Sequence, residues 1–379
     1  MKHIAFYAPM KPPDHPTPSG DREMARALIL ALQKAGFEVS VVSSLRIRNG
    51  SGDEAEQTRI HEEAESEVSR IAADFEARGA PDLWFTYHLY HKAPDLLGPE
   101  LTKRFDLPYC VAEASLAAKR KDGPWSDFYA HSLAAIRHAD RIFQLNPQDS
   151  DGLRSVLGCG LPIVPLDPFL VDPPAPMASD LRQQSRRELA ARHGLDPEKP
   201  WMLAVGMMRP DSKRDSYKLL AEAFGMRADT AVPLLIVGDG PARPEIEGYF
   251  RDHPKAVFLG ALPRERLNIT YGMADLFVWP AINEAFGMAL LEAQAAGLPV
   301  VAGNRPGVAA MIVDGETGIL APEGDTGALA EAINQMAADA TMRESMSVSA
   351  ISNVAAHHSL EKAAQRLSDD LLPLIGGRS

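Results

Sequence analysis

The chain has 379 residues, 45% hydrophobic and 24% charged, with a formal net charge of −12. That length exceeds what one hydrophobic core comfortably supports, so two domains are expected. The acidic balance argues against wholesale nucleic-acid binding, and two cysteines, Cys110 and Cys159, cannot build a disulfide framework. Both are expected as reduced core residues.

In chain order, the first half alternates short apolar runs with helical patterns. A buried strand is expected at 4–8, an apolar run too short for a signal peptide. It leads through a proline-rich loop at 9–19 to a helix over about 21–35, closed by Gly36, and a strand at 38–43. Residues from about 53 to 78 read as a long amphipathic helix with an acidic, solvated face. Strand-like runs follow at 83–87, 109–112 and 141–145. Many prolines and few periodic apolar positions place an inter-domain linker at 166–198, interrupted by a basic helix near 185–193. The alternation then restarts, with strands at 201–206, 233–238, 256–260, 276–279, 299–302 and 318–321.

Helices at 326–338 and about 360–372 close the chain, the second stopped by Pro373. Strands alternating with helices imply parallel sheets, so the fold class is α/β: two Rossmann-like, doubly wound domains facing a cleft. The domains are expected at 1–165 and 199–358, with residues 359–379 forming a last helix that packs back on the first domain. No window approaches the roughly 20 apolar residues of a spanning helix, and a cytoplasmic location is expected.

The chemistry concentrates in Asn283-Glu284-Ala285-Phe286-Gly287-Met288-Ala289-Leu290-Leu291-Glu292. The pattern reads strand, turn, helix, with Glu284 in the turn and Glu292 about a turn and a half into the helix. A helix N-terminus presents free N–H groups and a positive dipole end, which suit a phosphate. Flanking carboxylates then accept hydrogen bonds from hydroxyls on either side. Phosphate between two polyols describes a nucleotide sugar. Taken alone, Glu284 is equally a helix-start acid favoured by the dipole. Glu292 stands on a helix that is apolar nearly all round, so it should be buried and needs partners.

Asp149-Ser150-Asp151 has the spacing of a metal-binding pair. It follows Asn146-Pro147 and precedes Gly152-Leu153, which suits a helix start. No His/Cys cluster with ligand spacing stands out. Neither a metal nor a cofactor is expected.

The Glu284–Glu292 block resembles the E-x7-E motif of retaining glycosyltransferases of the GT-B fold, glycosyltransferase family four. Gly238-Asp239-Gly240-Pro241 resembles that family's strand-end GDGP, residues 257–260 and 271–278 its FLG and Y..ADLFV segments, and Asp314-Gly315-Glu316-Thr317-Gly318 its DGxTG turn. The likeness covers residues 200–330 and is weaker over 1–45. It implies a retaining, metal-independent transfer from a nucleotide diphosphate sugar to a hydroxyl acceptor. Glu284 would contact the transferred sugar and Glu292 the ribose. Arg209 and Lys213 would neutralise the diphosphate, with Arg214 and Lys218 as rivals for the lysine's part. Backbone around Phe286, Gly287, Met288 and Ala289 would meet sugar and phosphate, and Gly238 and Leu262 complete the donor set. In the first domain Gly20 would let backbone approach the diphosphate or acceptor. Where many members carry a His after the strand at 109–112, this chain has Glu113, which would take over contact with the sugar's distal hydroxyls.

Residues around that likeness leave the acceptor open. Tyr87, His88, Tyr90 and His91 follow a strand end and could bind an acceptor sugar or be plain loop. Lys119-Arg120-Lys121-Asp122-Gly123-Pro124-Trp125 could meet an anionic acceptor or lipid headgroup, or be solvated. The acceptor is a sugar, a lipid-linked compound or a small molecule, and a lipid-linked one would bring peripheral membrane contact. Two rivals remain: a non-catalytic sugar-nucleotide-binding protein, and an epimerase or phosphorylase on the same scaffold.

Overall fold

The structure is a computed structural model, and it describes residues 1–17, 19–226 and 228–377. The chain divides into two compact units, Met1–Asp167 with Leu360–Ser379, and Pro168–Ser359.

The first unit holds β1 (His3–Tyr7), α1 (Gly20–Lys34), β2 (Glu38–Ser43), α2 (Glu54–Arg78), β3 (Leu83–Leu89), α3 (Gly98–Phe105) and β4 (Tyr109–Ala114). It continues with α4 (Ser126–His138), β5 (Arg141–Gln144), α5 (Pro147–Leu157) and β6 (Ile163–Pro165). The strands are parallel in the order β2-β1-β3-β4-β5-β6. Connections from β1 go one way to β2, while those from β3 onward go the other, so the order reverses between β1 and β3. Ligands in doubly wound sheets gather beyond the strand ends at such a point. Helices form where a capping side chain meets an apolar stripe. Ser19 accepts from the Arg22 N–H and starts α1, whose Met24, Leu28, Ala31 and Leu32 are buried. Asp53 caps α2 in the same way.

The second unit holds α6 (Ser179–His193), β7 (Met202–Val205), α7 (Ser212–Gly225), β8 (Leu234–Val237), α8 (Arg243–Tyr249), β9 (Ala256–Gly260), α9 (Arg264–Met273) and β10 (Leu276–Trp279). Then come α10 (Met288–Ala295), β11 (Val300–Asn304), α11 (Pro306–Ala309), β12 (Gly318–Pro322), α12 (Thr326–Ala338) and α13 (Ala340–His357). Its strands are also parallel, ordered β12-β11-β10-β7-β8-β9. Here the reversal falls between β7 and β10, which pair through Met202–Leu276 and Leu203–Phe277. Strands β8 and β10 are buried at every position, as expected of strands covered on both faces.

Three expectations are corrected. Residues from Pro168 to 198 are no free linker: they belong to the second unit. Arg182 and Arg186 of α6 reach Asp275 at 2.7 Å each, so polar anchoring replaces the apolar periodicity that the region lacks. The last helix, α14 (Leu360–Gly376), is not stopped by Pro373 but contains it. The proline costs α14 its own i→i−4 hydrogen bond without ending the helix. It belongs to the first unit, where Lys34 of α1 pairs with Glu361 at 3.1 Å. Cys110 is buried, but Cys159 is exposed in the turn after α5. Helix α13 was not anticipated; its sparse buried positions (Met346, Ala350, Val354) give little periodic signal.

Candidate functional site

The reversal between β7 and β10 brings together the loop after β7 and the Glu284 turn after β10. Asp211 caps α7 by accepting from the Lys213 N–H, which puts Lys213 in the helix's first turn. Its ammonium meets the Glu284 carboxylate, and both side chains are largely buried, at 18% and 13% exposed. Trp279, the last residue of β10, donates its indole N–H to the same carboxylate oxygen at 3.1 Å. Its ring lies 5.1 Å from the Lys213 ammonium. The carboxylate is thus held by a cation from the first turn of α7 and an indole donor at the end of β10.

The turn that carries Glu284 is conformationally costly. Ala281 (φ 57°), Asn283 (φ 50°) and Gly287 (φ 73°) all adopt left-handed backbone, which non-glycine residues adopt at a cost of about 1 kcal/mol or more each. The surroundings impose it. Ser216 Oγ accepts from the Ile282 N–H at 3.0 Å, Glu323 accepts from the Asn283 N–H at 2.8 Å, and Arg305 ties Glu323 to the Asn283 side chain. Strain of this kind concentrates where a site is pre-organised.

Gly287 then opens α10, and no side chain caps that helix. Its first N–H groups are therefore left to a ligand or water. A Cβ at position 287 would lie 3.0 Å from Leu290 Cδ1 and 3.2 Å from Glu284 Cγ. Gly287→Ala is expected to cost about 1–2 kcal/mol from the left-handed backbone alone and to push the Glu284 carboxylate aside. Chemical denaturation, read beside donor affinity, checks both.

Glu292 is the fifth residue of α10 and its side chain is only 16% exposed. It accepts from the Tyr271 hydroxyl at 2.8 Å and pairs with Arg264 at the start of α9. Arg264 also donates to the Asp172 carbonyl at 2.6 Å. Burial, then the Glu292 charge, pushes the Tyr271 hydroxyl well above its usual range, so it stays a donor.

Other expected donor residues sit differently. Arg209 is half exposed and pairs with Asp211 at 3.0 Å rather than with either glutamate. Phe286, Met288 and Ala289 are partly buried against the core of the unit. Gly238 is required for close approach: a Cβ there would lie 1.9 Å from the Gly206 carbonyl oxygen. Leu262 lines a cavity of about 630 Å³ whose walls also come from α6 and α9.

In the first unit the β1–β3 reversal carries its own polar cluster. Gly20 begins α1 with open space where a Cβ would go, so no packing demands a glycine there. Pro18 of the same loop lies outside the described residues. His88 and Glu113, at the ends of β3 and β4, both take left-handed backbone (φ 59° and 60°). His88 Nδ1 bonds Asp21 at 3.0 Å. Burial lowers the His88 pKa, but the Glu113 charge and the Asp21 bond outweigh it, leaving a net rise. Burial raises Glu113 above the usual carboxylate range, and its buried Oε2 has no hydrogen-bond partner among the described residues. Asp149 is pushed up to about 6 by burial and by Glu113. Asn146 caps α5 as the residues before Asp149 suggested. His91 falls to about 4 through burial and the charges of Arg120 and Lys92. Those two cations lie 5.5 and 4.4 Å from the Trp125 ring centroid, so the basic loop folds onto its own aromatic.

Residues 199–339 match the family described as glycosyl transferases group 1. This stretch is a group 1 glycosyl transferase domain. Curated relatives of the chain include alpha-D-kanosaminyltransferase of Streptomyces kanamyceticus, 33% identical over 186 residues, covering 48% of each chain. D-inositol 3-phosphate glycosyltransferase of Rhodococcus jostii is 28% identical over 263 residues, covering 65% of this chain and 57% of that one. The alignments thus span about half the length of these relatives.

Among solved structures, sucrose-phosphate synthase from Thermosynechococcus elongatus superposes with a TM-score of 0.76 at 21% identity, covering 100% of both chains. The Anabaena protein Alr3699/HepE, solved with UDP, gives 0.75 at 14%, covering 98% of this chain and 99% of that one. At such identities these two show the fold, two Rossmann-like units, and nothing finer. Within the group 1 glycosyl transferase domain, Glu284, Lys213 and Glu292 come from the sequence pattern. Trp279, Tyr271, Arg264, Ser216 and Glu323 do not: their partners lie 5 to 66 residues away, or 40 for Glu323.

Proposed function

We propose that the protein is a retaining glycosyltransferase that moves a sugar from a nucleotide diphosphate sugar to an acceptor hydroxyl. The observation that carries this is the Lys213–Glu284–Trp279 contact beside the uncapped start of α10. In this reading the diphosphate lies on the α10 N–H groups, with Lys213 exchanging part of its contact with Glu284 for a phosphate oxygen. Arg209, half exposed on the same loop, turns from Asp211 to the second phosphate. Glu292, held by Tyr271 and Arg264, accepts the ribose hydroxyls. The HepE relative in fold was solved with UDP and with UDP-glucose, which supports a donor of that class.

Cleavage of the C1–O bond puts negative charge on the leaving diphosphate, and fixed cations and helix-end amides stabilise that charge most in the transition state. The leaving oxygen takes the acceptor's proton while the acceptor oxygen bonds to C1 on the same face, so configuration is kept. Glu284 positions the sugar and is not the nucleophile. Lys213, Arg209 and the helix amides supply the positive charge that a metal would otherwise bring. Recognition of the acceptor is assigned to the first unit, where Asp21, His88 and Glu113 offer groups that bind hydroxyls.

A thermal-shift panel of UDP-, GDP- and ADP-sugars tests the reading, because a ligand that binds only the folded state raises its stability. One series at a hundred times its Kd should add about 2.7 kcal/mol, while Mg²⁺ alone adds little. Silence from every nucleotide would overturn the donor assignment.

A further inference from the structure

A second cluster lies on α2 and α4 of the first unit and shares no residue with the proposed donor site. His61 projects from α2, and Asp127 and His131 project from α4 one turn apart. His61 Nε2 meets Asp127 Oδ2 at 2.6 Å, and His131 Nε2 stands 3.8 Å from Asp127 Oδ1. The three ligand atoms all fall within 4.8 Å of one another. The two imidazole rings are 5.0 Å apart, and Phe128 packs edge-on against His61 at 5.6 Å.

We propose that His61, Asp127 and His131 form a binding site for a divalent transition ion of the zinc class, tying α2 to α4.

Two imidazoles and one carboxylate are the donor set such ions take. A tetrahedral ion with ligands at about 2.0–2.1 Å places their atoms about 3.3 Å apart. The observed 2.6 and 3.8 Å bracket that spacing. Closing the gap needs only side-chain rotation, and the side chains are 29%, 57% and 46% exposed, free to make it. A plain ion pair would need one histidine. Here both histidines present the same nitrogen, Nε2, to opposite oxygens of one carboxylate. The remaining coordination positions face solvent and take water. The ion would join two helices through His61 and Asp127, which lie 66 residues apart in the sequence.

The test uses the full chain, stripped with chelator and titrated with Co²⁺ and with Zn²⁺. Expected are visible d–d absorption saturating at one equivalent of Co²⁺ and a thermal midpoint that rises with Zn²⁺. His61→Ala and His131→Ala should each weaken binding at least about tenfold, on the scale of losses at metal sites. His357→Ala, an exposed histidine of the other unit, should change nothing. Asp127→Asn, which keeps the side chain's shape, serves as the conservative variant. Absence of the band, or variants that keep the original affinity, would overturn the site. No donor-site residue takes part, so an inactive transferase would leave this result standing, and the reverse also holds.

Discussion

Lys213→Ala is expected to lower kcat for sugar transfer roughly 10²–10³-fold, about 3–4 kcal/mol of transition-state stabilisation, the loss seen when one fixed donor to a developing oxyanion is removed. Lys213 is suited to so large a part because it is pre-placed. Its ammonium is largely buried, lies over the Trp279 ring and is paired with Glu284 before any ligand arrives. Charge fixed in that way needs no reorganisation when the diphosphate leaves. The loss should fall mainly on kcat, since leaving-group charge grows as the bond breaks, while the donor's KM rises less. Lys213→Arg keeps the charge but spreads it over a planar fork and should recover only part of the rate. Because Lys213 and Glu284 touch, the double variant with Glu284→Gln should lose less than the two single losses combined. Steady-state release of nucleoside diphosphate measures all of this. A Lys213→Ala protein within about threefold of the parent would remove Lys213 from the reaction.

The same loop shows what the sequence could and could not tell. Among the cations, Arg209 is the better match to the resembled motif, although two residues are inserted before it, and Lys213 is the weaker one. The order changes in space because Asp211 caps α7, which turns Lys213 toward Glu284 and leaves Arg209 to pair with Asp211 itself. A cap of that kind is a local rule, legible once the helix start is known. The partners of Glu292 were not legible. Tyr271 and Arg264 reach it from α9, 21 and 28 residues earlier in the chain, a matter of tertiary structure and not of spacing. The strands read easily, since parallel strands are continuous apolar runs. The stretch at 166–198 is harder to read: the inner face of α6 mixes Arg182 and Arg186 with Leu189 and Ala190, which weakens the apolar periodicity. Likewise His61 and the Asp127–His131 pair are ordinary helix residues until α2 and α4 bring them within reach.

That arginine face carries the largest expected effect on stability. Asp275 accepts from Arg182 at 2.7 Å through Oδ1, and from Arg186 and the Trp201 N–H at 2.7 Å each through Oδ2. Arg186 is 7% exposed, stacks 4.3 Å from the Trp201 ring and donates to the carbonyls of Met273, Pro197 and Lys199. Burial pulls the guanidinium pKa down, and Asp275 opposes that pull. Asp275→Ala would strand a buried cation, which costs about 3–5 kcal/mol. For a unit of this size the midpoint should fall by roughly 6–20 °C. Calorimetry on the full chain reads it, and a loss under about 1 kcal/mol would show that water or rotation relieves Arg186. Asp275→Asn, which keeps an acceptor but no charge, should fall between. Function should respond differently. Asp275 precedes β10 and Trp201 precedes β7, so this network sits at the amino ends of the two strands. Lys213, Glu284 and Trp279 sit at or beyond their carboxyl ends. Below its lowered midpoint, the Asp275→Ala protein should therefore turn over near the parent's rate: in the β7–β10 pair this network lies at the amino ends, and the proposed donor site lies at the carboxyl ends.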